Sequence, residues 1–224
     1  MIPILSVVGR SNSGKTTLLE KLIRELARRG RHVGTIKHHF HGPVTVDVRG
    51  KDSWRHREAG ARAVALVSPE TFFVVRDTPG GLSPEAIAHL TMFGMDLVLT
   101  EGFKSGALPK IEVNRQAQQS PLLCGPADRL VAVAADWDTG APVPHFGLEE
   151  IAPLADFVER EYPAPSAGPA PELLVGGRRV ALNVEAAQAL GRAVHDLVGD
   201  SQDLSDGPTI ELRIPGWSGH LARP

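Results

Sequence analysis

One short stretch near the N-terminus carries the most specific chemistry in this chain. Gly9-Arg-Ser-Asn-Ser-Gly14-Lys15-Thr16 fits the spacing G-x-x-x-x-G-K-[ST] without a mismatch. Small residues let successive backbone N–H groups turn inward around phosphate oxygens. A helix opening from the loop adds its dipole and its unpaired N–H groups. Lys15 would set a cation against the β and γ phosphates of a nucleoside triphosphate. Thr16 would offer a hydroxyl to Mg²⁺, and Thr17 would reach the α phosphate. Gly9, Ser11, Asn12, Ser13, Gly14, Lys15, Thr16 and Thr17 are therefore the expected nucleotide-binding residues.

Such a site needs an acid near the metal. Ligands of open α/β sheets bind beyond the carboxyl ends of the strands. That rule separates the two acids of Met-Asp-Leu-Val-Leu-Thr-Glu-Gly. Asp96 starts the strand and Glu101 ends it, roughly 16 Å away at ~3.3 Å per residue. Glu101 is the better candidate for the metal and the catalytic side. Asp77 competes, because Asp77-Thr-Pro-Gly80 resembles the D-x-x-G switch of regulatory GTPases, although it is also an ordinary turn sequence. Asp47 lies in the loop after the second strand, a place from which a switch can reach the metal. His38, His39 and His41 are nearby. Adjacent strand residues point to opposite faces, so these histidines read as a polar strand end rather than a transition-metal site.

The elements that must position these residues are legible in the apolar pattern. Ile2 to Val8 reads as a buried strand, and Lys15 to Arg29 as a helix with Leu18, Leu19, Leu22, Ile23 and Leu26 on one face. Strand, glycine-rich loop and helix open a parallel sheet. Further strands are expected at His32 to Lys37, Met95 to Thr100, Lys110 to Asn114 and Leu130 to Ala135, where the sheet ends. Ala63 to Val67 and Thr71 to Arg76 read as a hairpin. Helices are expected at Ser53 to Ala61, Ser83 to Met92 and Leu148 to Arg160, with Ser83 as N-cap and Pro84 in the first turn. Arg28, Arg29 and Arg31 read as a solvated helix end.

The fold class is thus α/β: a P-loop NTPase-like, mostly parallel sheet flanked by helices. Residues 1–161 form the nucleotide-binding domain. Residues 162–171 (YPAPSAGPAP) are a stiff proline-rich linker. Residues 172–224 form a small α+β module of ββαβ pattern, with a hairpin turn at Gly176-Gly177, a helix from Val184 to Val198 and a strand from Thr209 to Ile214.

The formal net charge is -2, so no overall positive field recruits nucleic acid or an anionic membrane. The single cysteine, Cys124, excludes a disulfide framework within the chain. No signal peptide and no membrane-spanning apolar run is read, which favours a cytoplasmic location.

The separated segments resemble one family. GRSNSGKTTL, GTIKHHFHG, Asp47 leading into GKDSWRHREAGA, and DLVLTEGFK with PKIEV are similar to the molybdopterin-guanine dinucleotide biosynthesis protein B (MobB) family. AVAAD before Trp137 and ADFV of the last main-domain helix are similar too. The resemblance covers roughly Ile2 to Arg160. It implies a GTP-binding accessory protein of molybdenum cofactor maturation, commonly a homodimer, with weak GTPase activity. It would act beside MobA, the nucleotidyltransferase that joins GMP to molybdopterin. It implies GTP and Mg²⁺ as cofactors, with Thr16, Asp47 and Glu101 on the metal side. It also implies that Asp136 accepts the guanine N1 and N2 hydrogens, a task two carboxylate oxygens suit. The C-terminal module departs from the short form of the family. It would bind the pterin or a recipient molybdoenzyme, or serve in packing or dimerisation.

Two rival readings exist. A small-molecule kinase would need a lid, and no clear lid signature is read. A regulatory GTPase switch built on Asp77 would need N-K-x-D, whereas the nearest match is Asn114-Arg115-Gln116-Ala117.

Overall fold

The computed structural model describes residues 2–39, 47–165, 173–175 and 178–180. In chain order the elements are β1 (Ile4–Val8), α1 (Lys15–Arg28), β2 (Val33–Lys37), α2 (Asp52–Glu58), β3 (Ala63–Val67), β4 (Phe72–Arg76) and α3 (Pro84–Thr91). There follow β5 (Leu97–Glu101), β6 (Lys110–Asn114), β7 (Leu130–Ala135), β8 (His145–Phe146), α4 (Ile151–Glu161), β9 (Leu173–Val175) and β10 (Arg178–Val180).

Leu5, Val7 and Val8 are almost wholly buried, as a strand covered on both faces must be. The main sheet has the order β2-β5-β1-β6-β7-β8, and all its pairs are parallel. It is the expected mostly parallel α/β sheet, with one more strand. β8 pairs with β7 where the sequence reading ended the sheet. Two residues behind Pro144 are too short to show a period.

Side-chain alternation divides the core. Leu5 and Val7 of β1, Leu97 and Leu99 of β5, and Ala132 and Ala134 of β7 pack with Leu18, Leu22 and Leu26 of α1 and Leu154 and Val158 of α4. On the opposite face Val98 meets Ala88 of α3. Farther along that face, Val8, Val133 and Ala135 are covered by Leu122, Leu123 and Cys124, which belong to a loop.

The basic cluster at the end of α1 differs from the expected solvated helix end. Arg28 does remain exposed, but Arg29 is only 19% exposed and bonds Glu25 and, across to α4, Asp156 and Glu159. Arg31 donates to the Tyr162 carbonyl. The cluster docks α1 on α4, because the arginine fork reaches several acceptors at once.

β3 and β4 pair only with each other. Their apolar side chains are largely exposed. The chain divides into two compact units, Met1–Ser166 and Ala167–Pro224. Within the second, β9 and β10 form an antiparallel pair. The helix and strand expected at 184–198 and 209–214 lie outside the described residues.

Candidate functional site

The phosphate loop takes its shape from two glycines. Gly9 has φ +146°, and a Cβ there would collide with the Val113 carbonyl oxygen and with Ser13 Oγ. Only glycine lets β1 turn this tightly against β6. Gly14 caps α1 in the left-handed region, at φ +94°. Asn12 also has positive φ, a conformation that asparagine tolerates. Ser13 is fully buried and its Oγ has no partner, so the inside of the loop holds an unmet polar atom. Ser11, Asn12, Thr16 and Thr17 are exposed.

Lys15 folds back over its own loop, donating to the Arg10 carbonyl at 2.6 Å. Burial pushes its pKa down; the Glu101 carboxylate opposes this and the Lys37 cation adds to it.

The strand order places Glu101 beside this loop. Its register partners are Val7 of β1 and Lys37 of β2. Thr16 Oγ1 donates to Glu101 Oε1 at 3.0 Å, and Lys37 Nζ lies 3.4 Å from Oε2. Asp96 sits at the other end of β5 and accepts from the His32 backbone.

Asp47 is tied into the start of α2. Its Oδ1 accepts from the Val48 N–H at 2.8 Å and from Ser53 Oγ at 2.9 Å, while its buried Oδ2 has no partner. No hydrogen bond joins it to Thr16 or Glu101 among the described residues. Asp77 follows β4 and pairs with Arg57 of α2 at 3.2 Å, and no hydrogen bond joins it to Thr16 or Glu101 among the described residues. His41 lies outside the described residues. The described residues contain no cluster of three metal-ligating side chains.

Asp136 follows β7 and is exposed. Its Oδ1 already accepts the Gln116 N–H at 2.7 Å, an arrangement that joins the ends of β6 and β7. Asn114 sits beside it: its Oδ1 accepts from Trp137 Nε1, and its Nδ2 donates to the Ser120 carbonyl.

Three residues around the loop went unread in the sequence. Lys37 reaches Glu101. Arg115 Nε donates to the Ser13 carbonyl at 3.2 Å, with its guanidinium packed over Gly14. Gln118 Nε2 donates to the Ser11 carbonyl at 2.8 Å. Lys37 was legible as the last residue of a strand ending in the same layer as Glu101. Arg115 and Gln118 lie at and in a single 3-10 turn, Gln116–Gln118, too short for periodicity to say which way a side chain turns.

Comparison with known proteins bears on the family and the fold. Residues 4–136 match the family model of molybdopterin guanine dinucleotide synthesis protein B. A molybdopterin-guanine dinucleotide biosynthesis adapter protein of Haemophilus influenzae is 41% identical over 161 residues, covering 70% of this chain and 88% of the relative. The Escherichia coli adapter protein of the same name is 36% identical over 162 residues, covering 70% and 92%. Among solved structures, the crystal structure of Bacillus subtilis MobB superposes with a TM-score of 0.58 at 26% identity, covering 71% of this chain and 98% of that one. Motif, strand order and these matches agree: the chain belongs to the MobB family.

Proposed function

We propose that this chain is a GTP-binding adapter in molybdenum cofactor biosynthesis, working with a MobA-type nucleotidyltransferase. One observation carries the nucleotide reading. The Thr16 hydroxyl and the Glu101 carboxylate meet at 3.0 Å, directly after a glycine-shaped loop with an unmet buried hydroxyl. The role in molybdopterin guanine dinucleotide synthesis rests on the names of the relatives.

The residues fit the groups they would hold. Loop amides and the Lys15 ammonium suit phosphate oxygens, and Lys15 must leave the Arg10 carbonyl to reach them. Thr16 and Glu101 supply the hard oxygens that Mg²⁺ takes, and Asp47, in the loop after the second strand where P-loop proteins often carry a switch, brings another. Bound there, Mg²⁺ would neutralise charge on the terminal phosphates. Glu101 orients Thr16, and Lys37 holds the second Glu101 oxygen. In this reading hydrolysis is weak, and the bound state rather than turnover is what the partner senses. Asp136, steadied by the Gln116 N–H, keeps Oδ2 for the guanine edge.

The adapter acts as a homodimer in this proposal. A lone two-stranded sheet is marginal in water. β3 and β4 nonetheless expose Val67 (79%), Phe72 (64%), Val74 (49%) and Leu66 (48%). A second copy covering them supplies the missing layer.

The deciding experiment is a binding panel of GTP, ATP, CTP and GDP with and without Mg²⁺. GTP should bind tightest and depend on Mg²⁺. Asp136→Asn should weaken GTP more than ATP, because an acceptor becomes a donor facing a donor. Equal losses would remove Asp136 from base recognition, and tighter ATP binding would remove the guanine reading.

A further inference from the structure

EGFK and PKIEV are specific sequence features that the nucleotide site leaves mostly unexplained. Only Glu101 of the first acts there. The second holds two charges that are fully buried, Lys110 and Glu112. They lie two residues apart on β6 and so on one face of the strand.

Both charges are spent on main chain. Lys110 Nζ donates to the carbonyls of Gly106, Leu108 and Asp128 at 2.7, 2.9 and 2.7 Å. The Glu112 carboxylate accepts the Leu123 and Cys124 N–H groups at 2.8 to 2.9 Å. Burying a charge is costly unless such partners are in place. Asp128 ends a single 3-10 turn, Pro126–Asp128, and none of the other partners belongs to a helix or strand. The two side chains therefore fix the irregular loops that follow β5 and β6.

Those loops wall a cleft of about 540 Å³, within the range of small-molecule sites. One side is the first arm of the phosphate loop, Gly9, Arg10 and Ser11. The other is Lys104, the lysine of EGFK, with Gln118, Ser120 and Leu123. Neither Lys15 nor Thr16 lines it, and no acid does among the described residues. Arg10 and Lys104 form no ion pair among the described residues. The cleft thus offers two uncompensated cations, a hydroxyl and amide rim, and one apolar wall. Arg and Lys together suit a phosphate group, and Leu123 suits an organic body.

We infer that this cleft binds a small phosphomonoester beside the nucleotide rather than in its place, with Lys104 as a ligand-binding residue. Lys110 and Glu112 are positioning residues that hold its walls. The inference rests on the nucleotide reading, since Gly9 and Ser11 border both the cleft and the loop assigned to GTP.

The test uses the full chain loaded with a non-hydrolysable GTP analogue and Mg²⁺, titrated with phenyl phosphate and followed by backbone amide NMR. Saturable shifts are expected at Arg10, Ser11, Lys104, Gln118 and Leu123. Lys104→Gln should weaken phenyl phosphate by about fivefold or more, the loss of one charge-assisted contact, with the affinity for the GTP analogue unchanged. Glu112→Gln should weaken phenyl phosphate while leaving the analogue's affinity in place; a merely structural role would lower both. A loaded chain that shows no saturable shifts, or a GTP analogue that displaces phenyl phosphate, overturns the inference. A chain that never takes up the analogue refutes the nucleotide reading before phenyl phosphate is added.

Discussion

Lys15 is the residue on which most depends. In this structure it satisfies its ammonium on the Arg10 carbonyl, so phosphate must win it from a neutral acceptor. Charge-assisted bonds are worth roughly 1.5–3 kcal/mol each. Lys15→Ala should therefore lower triphosphate affinity about tenfold or more, read by calorimetry on a folded variant. Unchanged affinity would remove the central claim. Glu101 and Asp77 give a second contrast. Glu101 touches Thr16, whereas Asp77 is held by Arg57. Glu101→Gln should weaken the Mg²⁺ dependence and slow any hydrolysis. Asp77→Asn should leave both nearly unchanged. Single-turnover assays decide, and the reverse pattern would restore the switch reading.

At the level of elements, the junction of α1 and α4 is an acid-sensitive seam. Hydrogen bonds from Arg28 and Arg29 hold the Glu25 carboxyl at about 2, below its ordinary 4.5. A depressed carboxyl contributes stability above its unfolded pKa and loses it as pH falls through the folded value. The contribution is thus full above about pH 4.5 and fades toward pH 2. Glu25→Gln should flatten the acid limb of a stability curve in that window and leave its shape near neutrality. A variant with an unaltered acid limb would exclude the seam. The sequence showed α1 through its leucine stripe, and β1, β5 and β7 through short apolar runs. It could not show that Arg29 turns inward, because that depends on Asp156 and Glu159 arriving more than a hundred residues later. Glu101 was readable from strand polarity alone. Arg115 and Gln118 were not, since a single turn carries no period. β8 was missed for its brevity.

Over the whole molecule, the hairpin and the C-terminal unit make separate claims. Phe72→Asp puts a charge on the exposed apolar hairpin, and should shift the chain from dimer to monomer in light scattering without loss of GTP binding. A dimer that persists would move the interface elsewhere. A chain ending at Ser166, the limit of the first unit, should stay folded and bind nucleotide; loss of folding would merge the two units. The strand order also sets a timetable for biosynthesis. β1 is made before its partners, since Ile4 and Ser6 pair with Val98 and Lys110. At roughly 5–20 residues per second, the first strand waits several seconds for its neighbours. During that wait Leu5, Val7 and Val8 lack the sheet that buries them in the folded chain. The phosphate loop therefore gains its floor only after β5 and β6 have been made.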